Sequence, residues 1–73
     1  MKQEAQAQSL TPRQREIVRL VTDGLTNREC AALLGISVRT AELYRFNAMR
    51  RLGVRNVAQL LRHVTIHGLI SKR

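Results

Sequence analysis

Apolar residues recur along this chain at helical spacing and nowhere alternate as in a strand. Ile17, Leu20 and Val21 share one face of a helical segment, with Val18 beside them. Thr11 is a suitable N-cap for that segment, Pro12 suits its first helical position, and Gln14 completes a capping-box pattern. The first helix is therefore expected over residues 10–23, ending at Gly24. A second start signal is Thr26 followed by Glu29; Cys30, Ala31, Leu33 and Leu34 then supply a short apolar face, closed by Gly35. Ser37 caps a third helix over residues 38–52, and Gly53 stops it. Asn56, helped by Gln59, caps a fourth helix with a stripe of Val57, Leu60, Leu61 and Val64, ending at Gly68. No hairpin dipeptide lies between apolar segments, so the expected architecture is all-α, four helices with short links.

Residues 1–9 show no apolar periodicity and read as a flexible N-terminal segment or linker remnant, ahead of a single domain over residues 10–73. Within that domain, "LLGIS" joins a short helix to a longer one. A glycine turns the chain, Ile36 pins the turn, and a serine caps the longer helix: the pattern of a helix-turn-helix. The capped end of the longer helix presents free backbone N–H groups, which suit a phosphate.

Charge narrows the function. In 73 residues, 13 are basic and five acidic, a formal net charge of +8, and every basic residue except Lys2 and Lys72 is arginine. Such an excess calls for a polyanionic partner, nucleic acid first. An anionic membrane would need a helix strongly apolar on one side, and these stripes are consumed by the core. No apolar run approaches transmembrane length and "MKQEAQAQS" is too polar for a signal peptide, so a cytoplasmic protein is expected. Cys30 is the lone cysteine and falls among alanines and leucines, where a buried, inert thiol is expected. His63 and His67 have metal-ligand spacing but no accompanying cysteine or carboxylate pair; a surface role near a helix end is expected, with no metal and no cofactor. Nor is there a nucleophile–histidine arrangement or a phosphate-cradling glycine loop, so catalysis is not expected.

Several stretches together carry a family resemblance: "LTPRQREIV", "DGLTNRE", "LLGIS" with Thr40 three residues after Ser37, "MRRLGV" and "HGLI". In this order they resemble the LuxR/GerE-type helix-turn-helix domain, also found at the C-terminus of NarL/FixJ-type response regulators. The match covers residues 10–70. The resemblance implies a bacterial DNA-binding domain whose third helix enters the major groove, dimeric through its last helix. It also implies either a small stand-alone regulator or a partner domain that once preceded residue 10. Region 4 of a sigma factor shares the helix-turn-helix but usually lacks a separately capped, apolar fourth helix. Compared with the family's common residues, Ala41 stands for valine, Ala48 for isoleucine, Glu42 for lysine, Tyr44 for histidine and Cys30 for isoleucine.

The third helix sorts its residues by direction. At about 100° per residue, Ala41, Ala48 and Leu52 share the inward side, with Tyr44 and Arg45 at the flanks. Opposite lie Arg39, Leu43, Phe46 and Arg50, with Glu42 and Asn47 to either side. As base readers, Arg39 and Arg50 can reach guanine, Asn47 adenine, Glu42 a cytosine amine, and Leu43 and Phe46 thymine methyl groups. Thr26, Arg28, Ser37, Thr40, Arg45, Arg51 and Arg55 are placed to meet phosphates, although capping is the simpler role for Thr26 and Ser37. Arg13, Arg15 and Arg19 read as a solvated face of the first helix, with Glu16 near enough to pair with Arg13 or Arg19, or with Arg45 across the core edge. Ala58, Arg62 and Thr65 lie on the outer side of the fourth helix and are the candidate dimer interface. The competing reading takes Leu43 and Phe46 as a patch for another regulator, making the chain an adaptor or antagonist that keeps the fold. The positive charge favours DNA, because a protein-binding patch leaves it without a purpose.

Overall fold

Residues 10–67 are described by a computed structural model, and they form four helices: α1 (Pro12–Thr22), α2 (Asn27–Leu34), α3 (Val38–Leu52) and α4 (Val57–His67). No strand occurs among the described residues. The end of α4 expected at Gly68 lies outside them, as do residues 1–9.

Local chemistry sets each boundary. The Thr11 hydroxyl accepts from the Gln14 amide at 3.0 Å, and the Gln14 side chain accepts in return from the Thr11 amide at 2.9 Å. Thr26 and Glu29 repeat the arrangement at 3.1 and 2.8 Å. Each box satisfies two amides that a helix start leaves without partners. Asn56 accepts from the Gln59 amide at 2.8 Å, whereas Gln59 reaches back one residue further than a capping box does, to the Arg55 amide at 2.7 Å. At the end of α2, Gly35 adopts φ +69 and the Ile36 amide bonds to the Ala31 carbonyl at 3.0 Å. Only a residue without Cβ takes that left-handed turn cheaply. The turn brings Ile36 against the core and redirects the chain into α3.

The core gathers Ile17, Val18 and Val21 of α1, Cys30 and Ala31 of α2, Ala41, Ala48, Met49 and Leu52 of α3, and Leu60 of α4, together with Leu10. α3 packs across both α1 and α2, and α4 rests on α1 and α3. Ala41 and Ala48 are fully buried, and their small size permits a close approach. Tyr44 is half-buried against the same core.

Four positions depart from expectation. Leu33 is 66 % exposed: α2 buries Cys30 and Ala31 and packs Leu34 partly against the core, and Leu33 falls outside that arc. Leu61 is 42 % exposed for a similar reason, since α4 buries Leu60 fully and Val57 and Val64 only in part. His63 is half-buried rather than a surface residue, and its Nδ1 is shielded from solvent without a hydrogen-bond partner among the described residues. Met49, absent from the expected inward face of α3, is buried there.

Candidate nucleic-acid interface

The site is the outer side of α3, and its construction begins at Ser37. The Ser37 hydroxyl accepts from the Thr40 amide at 3.0 Å and lies 2.9 Å from the Thr40 hydroxyl, so both side chains are tied to the helix start. Thr26 is likewise occupied as a cap. From Ser37 the helix runs 15 residues, and its wall against α1 and α2 fixes which side faces solvent.

That outward side carries the expected residues. Leu43 is 54 % and Phe46 57 % exposed. Arg39, Glu42, Asn47, Arg50 and Arg51 are exposed around them. Phe46 and Arg50 share a groove with Arg45 and Arg55, floored by Met49 and Val54, between α3 and the start of α4. On the other flank, Asn47, Arg50 and Arg51 meet Gln14 of α1 in a shallow recess. Arg50 therefore stands where the two concavities meet. Its guanidinium carbon lies over the Phe46 ring, 5.8 Å from the centroid, within cation–π range.

The arginines of α3 are not neutralised by any described residue. The only ion pair among the described residues joins Arg13 and Glu16 on α1, at 3.5 Å, so Glu16 is not paired with Arg19 or with Arg45. Arg28 is exposed on α2 and Arg55 in the α3–α4 link. Ala58, Arg62 and Thr65 are exposed on α4, and Leu61 joins them on that side.

Arg45 differs from the others. It is half-buried, and its Nη1 donates to Oδ1 of Asn27 at 2.9 Å. Asn27 opens α2, so the bond ties the middle of the outer helix to the start of the preceding one. Asn27 was not expected in the site. A faint signal exists in the sequence: Thr26 already caps α2, which leaves the amide side chain of Asn27 free for a partner elsewhere. Gln14 was missed for the opposite reason, because its capping role accounts for it fully.

Two described groups have shifted acidities. Burial pushes the Cys30 thiol up; Arg45 opposes this and Glu29 adds to it, so the thiol stays protonated and inert at neutral pH. Burial lowers the His63 pKa, and neighbouring His67, its ring centroid 4.3 Å away, lowers it further. No group of three or more metal-ligating side chains occurs among the described residues, and no described helix is long and apolar enough to cross a membrane.

A short helix, a left-handed glycine turn and a capped helix with an exposed, arginine-bearing face define a helix-turn-helix module of the nucleic-acid-binding type. Comparison with known proteins agrees. Residues 8–64 match the family model for bacterial regulatory proteins of the luxR family. The chain belongs to that family, a family of DNA-binding transcriptional regulators rather than of enzymes. It is 44 % identical over 63 residues to the transcriptional regulatory protein MctR of Rhizobium johnstonii, covering 86 % of this chain and 29 % of that protein. It is 42 % identical over 55 residues to the tetrathionate response regulatory protein TtrR of Salmonella typhimurium, covering 75 % of this chain and 27 % of that one. Among solved structures, the response regulator StyR superposes with a TM-score of 0.84 at 35 % identity, over 89 % of this chain and 33 % of StyR. Full-length FixJ from B. japonicum gives 0.79 at 33 % identity, over 90 % and 32 %. The chain thus spans about a third of the length of these relatives.

Proposed function

We propose that this chain regulates transcription by placing α3 in the major groove of double-stranded DNA. The observation that carries the reading is the outward face of α3, where exposed Leu43 and Phe46 stand among unneutralised arginines. Arg39, Glu42, Leu43, Phe46, Asn47 and Arg50 are the base-reading set. Arg28, Arg51 and Arg55 meet the backbone on either side, Thr26 and Thr40 add the hydroxyl protons that capping leaves free, and Ser37 serves by capping the helix start. Arg45 joins them through the donors left over from its bond to Asn27.

Two copies are proposed to pair through α4. Ala58, Leu61, Arg62 and Thr65 form an exposed stripe at helical spacing, and Ala58 is small enough for a close helix approach. Two-fold pairing would set two copies of α3 roughly one DNA turn, about 34 Å, apart on an inverted repeat. A signal-receiving domain of the response-regulator type is the further partner this reading expects. The cytoplasm is its compartment, and no cofactor is needed.

Selection of bound sites from a random duplex pool at moderate salt tests the proposal. A shared inverted repeat is the expected result, with log K falling by about 0.9 per phosphate contact for each decade of salt. No enrichment would refute DNA reading and favour the second reading, an adaptor that binds another regulator through Leu43 and Phe46. The exposure of that pair supports this alternative as well.

A further inference from the structure

Phe46 and Arg50 are one turn apart on α3, and the guanidinium lies over the ring at 5.8 Å. The ring is itself 57 % exposed, and Leu43, on the same side, 54 %. A guanidinium held over a ring face by its charge keeps its N–H donors available for other acceptors. No carboxylate holds Arg50 among the described residues, so those donors are free. An apolar surface and a hydrogen-bonding fork are thereby held side by side, each limiting the other's rotamers.

The major groove has a matching pair of features. Guanine offers N7 and O6 to an arginine fork, and thymine offers only its C5 methyl to an apolar side chain. We infer, on the DNA-binding reading above, that Phe46 and Arg50 act as one unit reading a 5-methylpyrimidine next to a guanine. The methyl rests on the Phe46 ring and the guanine edge receives Arg50. A phenyl ring makes no hydrogen bond at the pyrimidine, so it does not distinguish the thymine carbonyl from the cytosine amine. 5-Methylcytosine therefore substitutes for thymine, and cytosine methylation strengthens binding at a site that carries cytosine there.

The test uses the whole chain and a duplex selected from the random pool. Thymine beside guanine is replaced by deoxyuridine, which removes only the methyl. A second duplex pair carries cytosine or 5-methylcytosine at that position. Burying one methyl-sized group is worth about a fourfold change in binding. Thymine over uracil and 5-methylcytosine over cytosine are both expected to show that ratio. Phe46→Ala should bring both ratios to one without a change in melting temperature, because the side chain is exposed. Replacing the adjacent guanine by 7-deazaguanine should weaken the native protein and leave Arg50→Ala unaffected. An enriched site that lacks a pyrimidine–guanine step, or that binds equally with and without the methyl, overturns the inference and leaves DNA reading intact. A pool with no enriched sequence overturns both.

Discussion

The bond between Arg45 and Asn27 should behave as a brace for α3, and it can be separated experimentally from a phosphate contact. The donor is charged, the separation is 2.9 Å, and both residues are half-buried. Hydrogen bonds to charged groups contribute about 1.5–3 kcal/mol, and partial exposure argues for the lower end, about 1.5 kcal/mol. In a domain of this size that is a fall of roughly 6–12 °C in melting temperature for Asn27→Ala. Arg45→Ala should cost as much or slightly more, because its aliphatic stem is lost as well. The double variant should fall short of the sum by about 1.5 kcal/mol, since the second substitution finds the bond already gone. DNA binding supplies an independent readout. Asn27→Ala removes no charge, so affinity for the selected site should drop while the salt slope stays unchanged. Arg45→Ala should lower affinity too, and its slope should shrink by about 0.9 if the residue also meets a phosphate. Urea unfolding of the four proteins and binding titrations at several salt concentrations give every quantity. Strict additivity of the two substitutions, within about 0.3 kcal/mol, would refute the brace.

Other expectations concern separate parts of the molecule. Leu60→Ala should destabilise by about 2–5 kcal/mol, because Leu60 is the one fully buried side chain of α4; urea unfolding checks this, and a loss under about 1 kcal/mol would mean α4 is not held through it. Arg50→Ala should weaken duplex binding and leave the melting temperature nearly unchanged, and a large drop would show that Arg50 supports the fold. His63 has a pKa below its ordinary 6.5 in the folded chain, so the unfolded chain takes up a proton that the folded one resists. Its contribution is complete at pH values above about 6.5 and is lost as pH falls through that value toward the lowered folded pKa. Melting temperature should therefore decline between pH 7.5 and 5.5, and His63→Leu should flatten the decline; an unchanged slope in the variant would assign it to another group.

The features legible in the residues alone are mostly those decided within one turn of chain. Thr11 with Gln14, Thr26 with Glu29, and Ser37 act on amides three residues away, so the starts of α1, α2 and α3 follow from composition at those positions. Gly35 and Gly53 follow similarly, since a left-handed turn needs a residue without Cβ. The direction of the α3 face was legible because Ala41, Ala48 and Leu52 leave Phe46 only the far side. Leu33 and Leu61 were misjudged because hydrophobicity does not reveal how wide an arc the neighbours cover. The bond from Arg45 to Asn27 spans 18 residues, and no periodicity announces a partner at that distance. The cation–π contact of Arg50 with Phe46 lies between these cases. Its spacing of four permits the contact, but only the chosen rotamers make it.

The division of α3 into two sides has a consequence for how such a helix can change. Ala41, Ala48, Met49 and Leu52 hold it to the domain, while Leu43, Phe46, Asn47 and Arg50 face away, and no residue belongs to both groups. Substitutions on the outer side therefore alter what is contacted without opening a cavity, and on the proposed DNA-binding reading base preference is free to drift at little cost in stability. The border residues lack that freedom. Tyr44 packs against the core from the flank, and Arg45 is bonded to α2 while bordering the groove beside Phe46. A change at either moves the helix as well as its surface. If α3 reads bases as proposed, affinity at every base contact would then shift together, because the whole outer face turns with the helix axis, whereas a change at Phe46 alters the contacts of one side chain.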